Sequence, residues 1–146
     1  MANRVHNKGH YRQVEHNAGG TVTPGMLLTL GSADTVIAHA TEGGRHEALF
    51  AQEDSLQGKT IAQNYSSGNP VNCILPAKGS VINGLIEDGQ DVSIGDELIS
   101  AGNGKLKVAT DLESGETLSQ VVGIATEAND LTGSNTSDTV SAVRIV

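Results

Sequence analysis

Apolar runs in this sequence are short, and nearly every one is cut off within a few residues by Gly, Asn, Asp, Ser or Thr. Val81-Ile82-Asn83-Gly84-Leu85-Ile86 stops at Asp88-Gly89, Glu97-Leu98-Ile99-Ser100 stops before Asn103-Gly104, and Gly95-Asp96 marks a further reversal. Asn-Gly and Asp-Gly suit turns that need positive φ, and Asn103-Gly104 is the strongest local hairpin signal in the chain. Helical periodicity is confined to residues 47–57 and 60–65. The pattern therefore predicts an all-β chain, a small β-barrel or sandwich-like domain with one short helical turn near 54–65. Strands are expected near 21–30, 35–40, 46–52, 71–75, 80–87, 97–101, 105–110, 119–127 and 139–146. At 146 residues the chain is long enough for one domain with a real core. Only Tyr11, Phe50 and Tyr65 are aromatic, so stacking on nucleic-acid bases is a poor fit.

The first twenty residues differ from the rest. They are Asn- and His-rich, weakly apolar, and end in Gly19-Gly20. Residues 1–16 hold Arg4, Lys8 and Arg12 against Glu15 alone, a net charge of +2, while the remainder carries −10 of the total −8. This reads as an extended N-terminal arm over residues 1–20, followed by a single β-rich domain over 21–146. The strongly acidic balance of the domain disfavours nucleic acid and anionic membrane as partners. Residues 1–20 lack the apolar run of a signal peptide, and no stretch approaches the length of a membrane span.

Chemistry-bearing constellations are sparse. His6 and His10 would share a face on a helix and could there bind a metal, but no Glu follows the first His as a zinc-protease motif requires. His39 and His46 flank Glu42-Gly43-Gly44-Arg45, which reads as a solvated turn with charged shoulders more readily than as a catalytic pair. Asp88, Asp91, Asp96 and Glu97 lack the alternating ligand spacing of a calcium loop. No Gly-x-Ser-x-Gly elbow, phosphate loop or dinucleotide fingerprint is present. Cys73 is the single cysteine, sits in Val71-Asn72-Cys73-Ile74-Leu75, and reads as a small buried side chain.

Two enzyme-like resemblances are partial. Gly89 to Leu98 resembles the Gly-Asp hairpin of biotinyl and lipoyl carrier domains, yet Lys105 follows Asn-Gly and precedes Leu106, where a carrier needs a modifiable Lys followed by Met or Ala. Gly84-Leu85-Ile86-Glu87-Asp88 resembles the uracil-reading hairpin of trimeric dUTP hydrolases, without the matching Tyr or the Gly-rich phosphate arm.

A broader resemblance covers residues 18–146. The segments Gly20 to Leu28, Ala48 to Glu53, Gly58 to Ile61, Tyr65 to Gly68, Asp91 to Ser100, Gly102 to Leu106, Val121 to Ala128 and Val140 to Val146 follow in the order seen in tailed-phage head decoration, or cement, proteins. The chain resembles that family through segment order, with no single diagnostic motif. The resemblance implies a non-enzymatic virion protein without cofactor or metal. It would sit on the outer capsid surface as a homotrimer at three-fold or quasi-three-fold sites. There it would bridge neighbouring major capsid proteins and stabilise the head against internal DNA pressure. The residues expected to meet the capsid or an adjacent subunit are those of the arm, Arg4, His6, Lys8, His10 and Arg12. The competing expectation is a trimeric β-fold enzyme of the dUTP hydrolase kind, or a carrier domain.

Overall fold

The computed structural model describes residues 4–109 and 120–146. Its strands, in chain order, are β1 (His6–Lys8), β2 (Tyr11–Ala18), β3 (Leu28–Leu30), β4 (Thr35–Ala38), β5 (Phe50–Ala51), β6 (Pro70–Pro76), β7 (Val81–Ile86), β8 (Asp91–Val92), β9 (Glu97–Ser100), β10 (Leu106–Val108), β11 (Val121–Ala125), β12 (Asn129–Asp130) and β13 (Thr139–Ile145). A 3-10 turn spans Ser55–Gln57, so the all-β expectation and its short turn near 54–65 both hold. The expected strand ends at residues 110 and 119 lie outside the described residues.

Strands β7, β10, β9, β11 and β13 pair in that order, and β13 returns to β7 over six residue pairs, from Thr139↔Ile86 to Arg144↔Val81. The result is a closed five-stranded barrel, an arrangement that removes free edges. Alternation supplies its interior: Ile82 and Ile86 from β7, Leu98 from β9, Leu106 and Val108 from β10, Val122 from β11, Val143 and Ile145 from β13. The barrel is too narrow for a side chain at Gly123, where a Cβ would stand 2.4 Å from Val143 Cγ1 and 2.7 Å from the Arg144 carbonyl oxygen. The β11–β9 register shifts at this point. Leu and β-branched side chains fill so small a barrel, consistent with a chain that has one Phe and no Trp.

A second sheet runs β3-β4-β2-β6-β5. Its ends are drawn together by Leu28 N–H donating to Leu49 C=O and Ala51 N–H donating to Met26 C=O. It encloses its own cluster of Ala18, Val22, Leu28, Val36, Leu49, Ala51, Tyr65, Val71 and Cys73. Its opposite face sends Leu27, Phe50 and Ile74 into the barrel's core. The two halves are thus one packed body. The β9–β10 connection stitches them: Leu27 N–H donates to Gly104 C=O, and Gly104 N–H donates to His39 C=O. Gly104 holds φ at 80°, and a Cβ there would lie 3.0 Å from Ala38 Cβ. The Asn103-Gly104 hairpin is present, but as a loop closed by Ala101 N–H to Lys105 C=O, with positive φ at Gly102 as well.

The amino-terminal segment pairs with both sheets. β1 pairs antiparallel with β7, and β2 pairs antiparallel with β6 over Tyr11↔Pro76 to Asn17↔Pro70. Val5 and Ala18 are buried, and the buried Glu53 carboxylate accepts the Val5 N–H at 2.9 Å. The boundary expected at residue 20 therefore does not separate an arm from a core. β1 and β2 follow each other across a bend, β1 along β7 and β2 along β6, and so cross from the barrel to the second sheet. The bend is at Gly9, with φ of 98°. There His10 N–H donates to Ser80 Oγ, and the Ser80 hydroxyl donates to His10 C=O.

Candidate functional site

The sheet register collects basic residues that are far apart in sequence. Lys8 of β1 and Arg144 of β13 both stand opposite Val81, on either side of β7. Lys78 lies in the turn between β6 and β7, whose Ala77 N–H donates to His10 C=O. Arg12 stands opposite Leu75 on β6, and the Arg4 carbonyl accepts a hydrogen bond from Asn83 Nδ2. Four of the chain's nine Lys and Arg, Lys8, Arg12, Lys78 and Arg144, thereby stand about the Val81 end of β7, and Arg4 lies farther along it, beside Asn83. All five side chains are exposed, and within the described residues none is ion-paired.

Of the residues expected at an interface, Lys8, His10 and Arg12 are exposed at this end, and Arg4 is exposed beside Asn83, midway along β7. His6 is half-buried, its Nε2 3.1 Å from the Gly9 carbonyl oxygen and its ring 4.4 Å from that of Tyr11. His6 lies in β1 and His10 in the bend between β1 and β2, so the shared helical face that would have made them metal ligands does not exist. Lys78 and Arg144 escape a linear reading. They join the cluster only through the β6–β7 turn and the β7–β13 register.

The far end of β7 is acidic. Glu87 and Asp88 follow it, and Asp138 precedes the β13 residue opposite Ile86. Asp138 Oδ2 pairs with Lys105 Nζ at 2.8 Å, and its Oδ1 accepts the Asp88 N–H. Burial pushes the Asp138 carboxyl up, but the hydrogen bonds from Lys105 and Asp88 outweigh it and leave the group below its ordinary value. Lys105 is therefore held in an ion pair at a loop, in contrast to the presented lysine of a carrier hairpin. The ends of β7 are about 17 Å apart at strand rise, so the charge asymmetry is a long-range dipole along the barrel. Beside the acidic end, Pro24, Ile61, Leu85 and Val140 floor an open cleft of ≈ 480 Å³. Its two carboxylates, Glu127 and Asp138, are engaged with the Ala142 N–H and with Lys105 respectively.

The turn between His39 and His46 exposes its charged shoulders Glu42 and Arg45, as expected, while its base is clasped to the barrel. His39 is buried, with Nε2 2.7 Å from Arg45 C=O and Nδ1 2.7 Å from Ser100 Oγ. The carbonyl only accepts, so Nε2 carries the hydrogen, and in the neutral ring Nδ1 then accepts from the Ser100 hydroxyl. Ser100 has no exposed surface, and its Oγ also accepts the Gly102 N–H. The Ser–His contact thus fastens the turn to the barrel and offers no accessible nucleophile. Glu42 pairs with the buried Lys107 on β10. The His46 ring meets His39 edge-on, centroids 6.4 Å apart. Burial lowers the His46 pKa, opposed by the Gly44 carbonyl and reinforced by His39.

The class this architecture defines is an all-β protein, a closed five-stranded barrel fused to a second, curled sheet. No protein-family model matches the chain, and no curated protein matches it in sequence. Among solved structures it is similar to the N base of the head fiber protein gp8.5 of bacteriophage phi29, with a TM-score of 0.60 and 14% identity. That alignment covers 94% of this chain and 95% of the other. At such identity the likeness is one of fold.

Proposed function

We propose that this chain is a structural protein of a bacteriophage head, docked on the outer surface of the shell through the basic end of β7. The observation that carries the reading is the whole-length likeness of fold to a head fiber base. The charge geometry supports it. Four cations at the Val81 end of β7, none of them ion-paired among the described residues, form on a chain of net charge −8 a face suited to an acidic protein surface. The buried Ser100 hydroxyl, the paired Lys105 and the segment order quoted above favour a decoration role over an enzyme or carrier. In the finer form of the proposal, three copies around a shell three-fold or quasi-three-fold axis each present this end to a major capsid subunit. Bridging several subunits would let many modest contacts stabilise the head through multivalency.

The test is sedimentation of the source virions, with this chain quantified by mass spectrometry. Co-sedimentation in hundreds of copies (order of magnitude, as a lattice of repeated sites demands) is the expected result. Recovery of the chain only in the light fraction would overturn the reading. On purified particles, Lys8→Glu with Arg12→Glu should weaken rebinding and flatten its salt dependence, because exposed charges are the ones that salt screens.

A further inference from the structure

We propose that the outward edge of β2, from Tyr11 to Glu15, accepts an extended acidic segment of the docking partner as an added β-strand. This rests on the basic end of β7 being the docking face.

The edge is open because its neighbours differ in length. On one side β6 pairs with β2 from Tyr11 to Asn17; on the other, β4 reaches only Asn17 and Ala18. Strand parity assigns the backbone groups. Asn17 N–H donates to Asp34 C=O and Gly19 N–H to Val36 C=O, so odd-numbered residues face the β4 side. Ala18 N–H donates to Asn69 C=O and its carbonyl accepts the Gly68 N–H, so even-numbered residues face β6. The partner strand agrees: Asn72, opposite Glu15, turns its carbonyl to Gln52 N–H on the far side. Pro70 and Pro76, which have no N–H, fall in the same parity, opposite Asn17 and Tyr11. Tyr11, Gln13 and Glu15 therefore direct N–H and C=O groups past the end of β4. Among the described residues, none of these groups has a protein partner.

Such a row is a template for another strand. β2 is eight residues long and contains no proline, the device that most simply blunts an edge. Charge selects what can pair. Lys8, Arg12 and Lys78 crowd the Tyr11 end without ion pairs, and Glu15 stands at the other. An added strand is favoured when its Asp or Glu residues lie beside Arg12 and its uncharged residues beside Glu15. The backbone ladder supplies attachment, and the flanking cations supply partner choice and register.

The experiment is hydrogen–deuterium exchange on the full chain, free and bound to shells of the source virion. The amides of Tyr11, Gln13 and Glu15 should exchange freely in the unbound chain and at least about tenfold more slowly on shells. Gln13→Pro removes the central outward N–H without touching the β6 ladder. It should lower shell affinity at least about tenfold while Gln13→Val does not, with thermal unfolding reporting that both variants fold. A chain bound to shells with unchanged exchange at these three amides would overturn strand addition and leave side-chain docking standing. Protection already present in the free chain, and lost on dilution, would assign the edge to a second copy and overturn the acidic partner. A chain absent from the particles removes both readings.

Discussion

Replacing Gly9 by Ala tests whether the amino-terminal segment is part of the domain. Gly9 sits at φ of 98°, and a Cβ built there would lie 2.4 Å from Ser80 Oγ, 2.8 Å from Ser80 Cβ and 2.9 Å from Ser80 Cα. The last contact is with backbone, so a rotamer change cannot relieve it. Ser80 is itself buried and held by the reciprocal bonds to His10. Left-handed backbone costs an L-residue roughly 1–2 kcal/mol, and overpacking adds typically about 1–3 kcal/mol. Gly9→Ala should therefore destabilise the whole fold by about 2–5 kcal/mol, a fall in melting temperature of roughly 5–15 °C for a domain of this size. The assay is urea and thermal unfolding followed by circular dichroism, with Gly20→Ala as control, since nothing lies within 4 Å of a Cβ there. The control should stay within about 0.5 kcal/mol of the parent, as surface changes usually do. If Gly9→Ala matched the control, the segment would be a detachable arm and the clash with Ser80 would not exist in solution.

Three further outcomes are expected. His46 has a folded pKa below its reference of 6.5, so the unfolded chain takes up the proton first and stability falls as pH drops from 6.5. His46→Phe should flatten that fall in denaturation curves at stepped pH, and an unchanged slope would contradict the burial of the ring. The Tyr65 hydroxyl donates to Gln52 C=O at 2.6 Å, and burial pushes its pKa up to about 12. Tyr65→Phe should cost about 0.5–1.5 kcal/mol at neutral pH and abolish part of the stability loss above pH 10, where the unfolded phenol ionises first; equal alkaline curves would count against it. Burial also pushes the Cys73 thiol up to about 12, so a disulfide reagent at pH 8 should label the unfolded chain fully and leave the native chain unlabelled, whereas rapid native labelling would place the thiol elsewhere.

Much of the barrel was legible before any coordinates. Strands expected at 35–40, 71–75, 80–87, 97–101 and 139–146 are found at Thr35–Ala38, Pro70–Pro76, Val81–Ile86, Glu97–Ser100 and Thr139–Ile145. They are readable because turn residues bound them and their alternation is strong. The reversals at Gly89 and Gly95 adopt the positive φ that glycine allows. Cys73 is buried, as its apolar run implied. The segment Tyr11–Ala18 was not legible as a strand. Its inward face is Val14, His16 and Ala18, with Arg12 exposed beyond them, so its apolar face is weak, and its partner β6 lies more than fifty residues away. The interface candidates on that segment were named from charge alone, and the structure adds Lys78 and Arg144.

Local sequence thus determined the strand class, most of the turns and the inward faces of the barrel strands, because side-chain alternation and turn chemistry act over a few residues. Tertiary structure alone decided that β1 and β2 are integral to the two sheets, that Lys8 and Arg144 flank Val81, and that the β2 edge stays open beyond β4. Those outcomes depend on register between distant strands. Register is set by which buried faces meet across the sheets, a quantity no single segment carries.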